Sequence, residues 1–295
     1  MTCTSHFTIP ELLPLVSWGY FFHAWSLGTS FVSIAQVHDC PACTAGWIRS
    51  FSGEQQKQAR TALGLWHDAQ EQLRRWADEG RTASCRVMIE RAWSEDEDIV
   101  LPDLNARLPL LRSQQMAAGE PSLCLADFVA PRQSGIDDRI GLFASTTEPG
   151  MEQSFADDPY RHLLAQTLAD RLAEAAAELA HMKVRREWWG YAADERLTIP
   201  QMLAAQYQGI RPAVGYPSLP DQSLNFLLSE LLDFPSLGIR LTENGAMMPH
   251  ASTSGLMLAH PQARYFSVGP IGEDQLRDYA RRRGMEPDTL RRFLA

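Results

Sequence analysis

The chain has 295 residues, 45% hydrophobic and 21% charged, an ordinary globular balance with apolar surface for one large domain or two small ones. Its net charge of −9 argues against a broad nucleic-acid face, which needs cations set against phosphates. No run reaches the roughly 20 apolar residues of a membrane span; the richest, 12–27, is broken by Pro14, Gly19 and His23 and lacks the flanks of a secretory signal, so a cytoplasmic protein is expected.

Residues 10–28 form an aromatic-dense opening with Trp18, Tyr20, Phe21, Phe22 and Trp25. The stretch that follows reads as irregular and contains Cys40-Pro-Ala-Cys43, with His38 two residues ahead. A helix is predicted over 55–78, where Ala62, Leu65, Trp66, Ala69, Leu73 and Trp76 recur at helical spacing and Gly80 provides the stop. Strand-like runs come next at 86–92, 99–101, 122–129 and 139–145, and Cys85 and Cys124 read as buried strand residues. The clearest helix covers 159–188: Leu164, Leu168, Leu172, Ala175 and Leu179 make its buried stripe, with Glu174 and Glu178 towards the stripe's edges. A helix over 221–233 capped by Asp221, strands over 254–258 and 264–268, and helices over 273–283 and 287–294 complete the chain, with Gly284 as the left-handed stop between the last two. Arg185-Arg186 and Arg281-Arg282-Arg283 read as solvated helix ends that complement the macrodipole, the other reading being a docking patch for an acidic partner.

Strands and helices do not alternate, and no strand–glycine-loop–helix unit occurs. The fold class expected is therefore α+β with an antiparallel or mixed sheet. No repeat, low-complexity tract or long linker divides the chain. Five cysteines do not describe a disulfide framework. A metal or redox role for Cys40 and Cys43 would need further ligands, and with no second pair of this spacing they read as reduced thiols with no metal.

The most informative stretch is Gln208-Gly-Ile-Arg-Pro-Ala-Val-Gly-Tyr-Pro217. Two prolines stiffen it, and two glycines open torsions closed to other residues. Arg211 supplies a planar fork suited to a carboxylate, and Tyr216 a ring face with a hydroxyl. This composition fits a cradle for a zwitterionic amino acid bearing an aromatic base; taken alone it fits better a structural loop with its arginine in a salt bridge.

Gly209-Ile-Arg-Pro-Ala-Val-Gly-Tyr-Pro217 resembles the GIRPAPGYP signature of the activation domain of cobalamin-dependent methionine synthase. Further segments follow in that family's order. Leu125-Ala-Asp-Phe-Val-Ala-Pro131 with Ser134-Gly135 is similar to LADFVAPxxSG, and Asp170-Arg-Leu-Ala-Glu174 to DRLAEA. Trp189-Gly-Tyr191, Leu241-Thr-Glu243, Ala251-Ser252, Ser254-Gly255 and His260-Pro261 match in turn, and Trp18, Phe21-Phe22 and Trp25-Ser-Leu27 resemble the family's opening motif. The similarity spans about 7–294, with an extra stretch near 30–55 that holds Cys40 and Cys43.

The resemblance implies one C-shaped α+β domain, residues 1–295, with a twisted antiparallel sheet flanked by helices. It implies S-adenosylmethionine held in a shallow groove, with contacts at Glu174, Arg211, Ala213, Gly215, Tyr216 and Tyr265. Arg211 would take the methionyl carboxylate and Glu174 the amino or sulfonium cation. Ala213 and Gly215 would meet adenine and ribose with their main chain, and the two tyrosines would form walls. Where the family has an aspartate on the ligand's amino group this chain has Ser17, which weakens a charge-assisted contact by about 1–2 kcal/mol. After the signature the family reads CPDHTEK, and this chain Ser218-Leu-Pro-Asp-Gln-Ser-Leu-Asn225; His250 stands where a small residue is usual.

The chain has no cobalamin-binding DxHxxG motif, no zinc-protease motif, no phosphate loop and no nucleophile elbow. Cobalamin is thus expected only from a partner module, with a flavodoxin-like donor as reductant, and no catalytic side chain is assigned. The function expected is that of a stand-alone S-adenosylmethionine-binding activation protein. A cobalamin-independent enzyme using the same ligand on a small molecule, or a non-catalytic binding subunit, are the alternatives.

Overall fold

The computed structural model describes residues 1–114, 119–153, 155 and 157–294. The chain starts with strand β1 (Thr2–Thr8), which turns into the short helix α1 (Ile9–Leu12); helices α2 (Trp18–Ala24), α3 (Pro41–Arg49) and α4 (Gln55–Asp78) follow. Strands β2 (Thr82–Glu95), β3 (Asp98–Leu101), β4 (Ala106–Pro109) and β5 (Asp138–Thr147) come next, then the long helix α5 (Pro159–Lys183). After α6 (Ile199–Leu203) and α7 (Leu224–Leu232) lie a two-stranded ribbon, β6 (Arg240–Leu241) and β7 (Met247–Met248), strand β8 (Ser252–Met257), and helices α8 (Glu273–Arg283) and α9 (Pro287–Arg291).

Among the described residues the main sheet has six strands, all antiparallel, in the order β4-β3-β2-β5-β8 with β1 on the first half of β2. β2 is the spine. Thr2 faces Met88 on one side, and the pairing with β5 runs from Ala83 opposite Thr147 to Ala92 opposite Asp138. This is the α+β domain with a twisted antiparallel sheet flanked by helices that the motifs imply.

Both faces of the sheet are covered. Cys85, Val87, Phe143 and Met257 join one core with residues of α1, α2, α4 and α5; Ile140, Leu142, Ala144 and Leu256 join a second core with Leu224, Leu228 and Leu232 of α7. β5 is therefore buried on alternate residues in both directions, from Ile140 to Thr147. Helix α5 lies across β2, β5 and β8 on the first face. Ala165, Ala169, Ala173, Ala176, Ala177 and Ala180 are all buried beside its leucines, so the helix is enclosed on most of its circumference. Small residues bring it close enough for Ser145 Oγ to donate to the Ala173 carbonyl at 2.8 Å.

Several expectations need correction. The stretch 122–129 is not a strand but contains a 3₁₀ turn, Leu125–Phe128. Asp127 makes the turn: its carboxylate accepts from the Cys124 N–H at 2.8 Å and holds the Arg112 fork at 2.8 and 2.7 Å. The 264–268 run has strand periodicity but no strand beside it; Val268 N–H donates to the Pro217 carbonyl at 2.9 Å and the segment stays irregular. The 159–188 helix has the expected extent, but its last turn, Val184–Trp188, is a π turn that follows α5 and is closed by Gly190 at φ +77°. Asp221 does not begin a helix; it is buried between Tyr279 Oη at 2.7 Å and Arg283 Nε at 3.3 Å.

Within the basic clusters Arg281 is a solvated helix end as expected, but Arg185, Arg282 and Arg283 are not. Arg185 is fully buried, and its guanidinium grips Glu195 at 2.9 and 3.0 Å. Arg282 reaches Asp98 and the Leu110 carbonyl, and Arg283 reaches Ser223 Oγ at 2.9 Å, so α8 is fastened to the sheet and to α7 by its own arginines. Missed altogether were β1, β4, the β6–β7 ribbon, and helices α1, α2, α3 and α6. Among the described residues no helix is long and apolar enough to cross a membrane.

The closest approach in the core is at Gly255 of β8. A Cβ there would lie 2.1 Å from the Pro212 carbonyl oxygen and 2.8 Å from Ala213 Cα. Replacing Gly255 with alanine is therefore expected to destabilise the protein by about 1–3 kcal/mol in urea unfolding. Gly64→Ala, in α4 where an added Cβ meets nothing within 4 Å, should instead gain about 0.5–1 kcal/mol. Equal stability for the Gly255→Ala protein and the wild type would show that the chain at Pro212 is free to move.

Candidate functional site

Residues 209–217 form a strap along the free edge of β8. Ile210 and Leu258 exchange N–H···O bonds of 2.9 and 3.0 Å, Leu256 N–H donates to the Pro212 carbonyl at 3.0 Å, and Val214 N–H to the Ser254 carbonyl at 2.9 Å. Gly209 turns into the strap at φ +85°, where a Cβ would strike the Leu258 carbonyl oxygen at 2.3 Å. Extended backbone alternates its side chains. Ile210 and Val214 accordingly enter the second core, while Ala213 joins the first and Arg211 lies 5.4 Å from the Phe143 ring. At the far end Gly215, φ +87°, turns the chain so that Tyr216 leans outward, 55% exposed.

Between the strap, α5, the start of α2 and the segment after α6 lies an open cleft of about 770 Å³. Its floor holds Arg211, whose Nη2 donates to Glu178 Oε2 at 3.2 Å and whose Nη1 sits 3.6 Å from Glu174 Oε2. The i, i+4 spacing puts both carboxylates on one face of α5. Tyr265 closes one side; its Oη accepts the Arg211 backbone N–H at 3.0 Å. Ser17, at the N-terminus of α2, Tyr20 and Arg171 line the opposite side, with the Arg171 guanidinium over the Tyr20 ring at 5.8 Å.

The family described as vitamin B12 dependent methionine synthase, activation domain, matches residues 8–284. The chain belongs to this family. The crystal structure of the MetH reactivation domain bound to AdoHcy is similar to it with a TM-score of 0.85 and 34% identity, over 99% of this chain and 89% of that one.

Of the residues that the family signature singles out, Ser17, Glu174, Arg211, Ala213, Tyr216 and Tyr265 all line the one cleft. Gly215 stands just behind its wall, packed on Gln222, where a Cβ would lie 2.3 Å from Nε2. Sequence reasoning missed Tyr20, Arg171, Glu178 as a lining residue, and Tyr207. Only Glu178 carried a signal, its place one turn after Glu174. Tyr20 and Arg171 meet across 151 residues of chain, and no local pattern announces that.

Beneath the floor the charges continue inward. Glu178 lies between Arg211 and Arg185, whose Nη1 is 3.7 Å from Glu178 Oε1, and Tyr207 Oη reaches Glu178 at 3.5 Å. Arg185 stacks on the Tyr207 ring at 4.0 Å. Burial by itself pulls the Arg211 pKa down, but Glu178 and Glu174 outweigh it and hold the guanidinium charged. Burial likewise raises the hydroxyl pKa of Tyr191 and Tyr207. His181, fully buried on α5 with its Nε2 3.2 Å from Tyr191 Oη, is pushed well below the usual 6.5, first by burial and then by Arg185 and Arg211.

This has a consequence for stability against pH. The unfolded chain takes up a proton on His181 near pH 6.5 while the folded chain keeps the ring neutral. The stabilisation is full above that pH and lost as pH falls towards the depressed folded value. Compared with His181→Phe, the wild type should lose up to about 1.4 kcal/mol of unfolding free energy per pH unit below 6.5. Parallel pH profiles for the two proteins would show that His181 is protonated in the fold.

Proposed function

We propose that the cleft binds S-adenosylmethionine, and its demethylated product S-adenosylhomocysteine, and offers the methyl group to a reduced cobalamin carried on another module. The observation that carries this reading is the convergence of six residues from four separate segments on one cavity of ligand size. A relative of 34% identity over nearly the whole chain has AdoHcy bound.

Arg211 and Glu174 are a pair at 3.6 Å, longer than a good hydrogen bond, and Arg211 Nε is buried without a partner. A ligand that is itself a zwitterion suits this arrangement. Its carboxylate takes Arg211 and its ammonium or sulfonium takes Glu174, so one loose contact is exchanged for two closer ones. Glu178 stays on the inner side of Arg211 and keeps the guanidinium in place. Main chain at Ala213 faces the nucleoside, Gly215 provides the turn, and Tyr216 and Tyr265 wall the ring; an aromatic face beside a sulfonium adds about 0.5–2 kcal/mol. Ser17 contributes a neutral contact where a carboxylate is usual in the family.

The reduced corrinoid supplies the nucleophile, and a flavodoxin-like donor its electrons. This chain supplies position and electrostatics, and none of its side chains acts as acid or base.

Calorimetric titration with S-adenosylmethionine should show one site. Arg211→Ala is expected to weaken it at least tenfold, about 1.4 kcal/mol or more. Because Arg211 also holds buried Glu178, the half-exposed Glu174→Gln is the cleaner variant and should weaken binding by a similar factor with the fold intact. Unchanged affinity in both would remove the cleft as the site. Methyl transfer to an added cobalamin-loaded module should require reductant. Consumption of the ligand without corrinoid would show instead a cobalamin-independent methyltransferase.

A further inference from the structure

Away from the cleft, the segment before α3 brings together three side chains that metals favour. Ligand atoms of His38, Cys40 and Cys43 all lie within 4.8 Å of one another. The local chain explains why. Cys40, φ −113° and ψ 152°, is the N-cap of α3, and its N–H turns back to donate to the His38 carbonyl at 2.8 Å, a tight three-residue turn that keeps His38 beside Cys40. Cys43 occupies the third helical position, which an N-cap side chain reaches by default: the Cys43 N–H donates to Cys40 Sγ at 3.4 Å. Pro41 at the first helical position presets the turn.

The scaffold beneath is firm. Asp39, pointing the other way, is held by His67 Nε2 of α4 at 3.0 Å, which leaves His38 to the cysteines. Thr44 caps the Cys40 carbonyl through both its N–H and its hydroxyl, at 3.0 and 3.1 Å. One turn further on, Trp47 is buried against Phe31 and Phe51 and donates to Ser33 Oγ at 2.9 Å.

We propose that His38, Cys40 and Cys43 form a zinc site with three protein ligands and a fourth position open to solvent. Two thiolates and a neutral imidazole balance a divalent cation. This soft-to-borderline donor set selects zinc over magnesium or calcium, which take oxygen. Zinc bonds of about 2.3 Å to sulfur and 2.0–2.1 Å to nitrogen place tetrahedral ligand atoms about 3.5–3.8 Å apart. Side-chain rotation at these exposed and half-exposed residues closes the remaining gap. Binding the cation displaces the thiol protons. The open fourth position makes the site one that can exchange a ligand, unlike a closed four-cysteine structural centre.

The test uses the full chain, reduced and freed of metal by chelator. Titration with Co²⁺ should show one equivalent, with thiolate-to-cobalt charge-transfer absorption and the visible bands of tetrahedral geometry, and Zn²⁺ should displace it. Cys40→Ser and Cys43→Ser are each expected to lower zinc affinity by about 100-fold or more, at or above the roughly 10–100-fold that partners of metal ligands already command, and His38→Ala by at least about tenfold with the charge-transfer band retained. Circular dichroism of the three variants should match the wild type, since all three side chains lie at the surface. The proposal is overturned if the reduced wild type gives no charge-transfer band, if the serine variants bind as the wild type does, or if air closes Cys40 and Cys43 into a disulfide at the same rate with and without Zn²⁺.

Discussion

The cleft depends on one close approach, the main chain of the 209–217 strap lying directly against Gly255 of β8. A side chain at that point would hold the strap away from the sheet. Without the strap in place, Arg211 would lose its position over Phe143 and above the carboxylates of α5. The same contact explains the prolines and glycines of the strap. Pro212 gives its carbonyl to Leu256, and its missing N–H is not called on; Gly209 enters where a Cβ would meet the Leu258 carbonyl. The segment is bonded into the sheet and walls the cleft at once.

Charge is organised around α5 in a similar way. Taking Arg185, Glu178 and Arg211 out of water costs several kcal/mol per ion, and such groups persist only when partners surround them. Glu195 meets Arg185 in a two-point contact, Tyr207 stacks on it, and Glu178 bridges inward from Arg211. A neutral His181 fits among these cations where a charged one would not. The outer member of the series, Glu174, is half-exposed and holds Arg211 at 3.6 Å, so the charge network is tight inside and loose at the cleft. That gradient leaves the floor of the cleft fixed from beneath and its outer carboxylate open to solvent.

Long-range arginine contacts also finish the fold. Arg112 fastens the Leu125–Phe128 turn, and Arg282 and Arg283 tie α8 to β3 and to the approach of α7. A solvated basic end was the reading that composition favoured for Arg282 and Arg283, and it does not describe these two side chains. An arginine's partner is decided by what the fold brings to it, in these cases from 15 to 184 residues away.

The sequence alone determined the elements whose signals are local. The 55–78 helix follows from a stripe of apolar residues at helical spacing, its end from Gly80, and the stop after α8 from Gly284. The ordered motifs placed the family, and with it six of the residues that share the cleft. What only the tertiary structure decided is whatever depends on a partner far along the chain. The 264–268 run alternates like a strand but has no neighbour to pair with, and 122–129 yields to one carboxylate that finds Arg112. Alanines on α5 look neutral in sequence and prove to be its contact with the sheet, because small size matters only once another surface is close. His38, Cys40 and Cys43 were visible as letters, but their convergence required the turn at 38–40 and the helix start to be set in space.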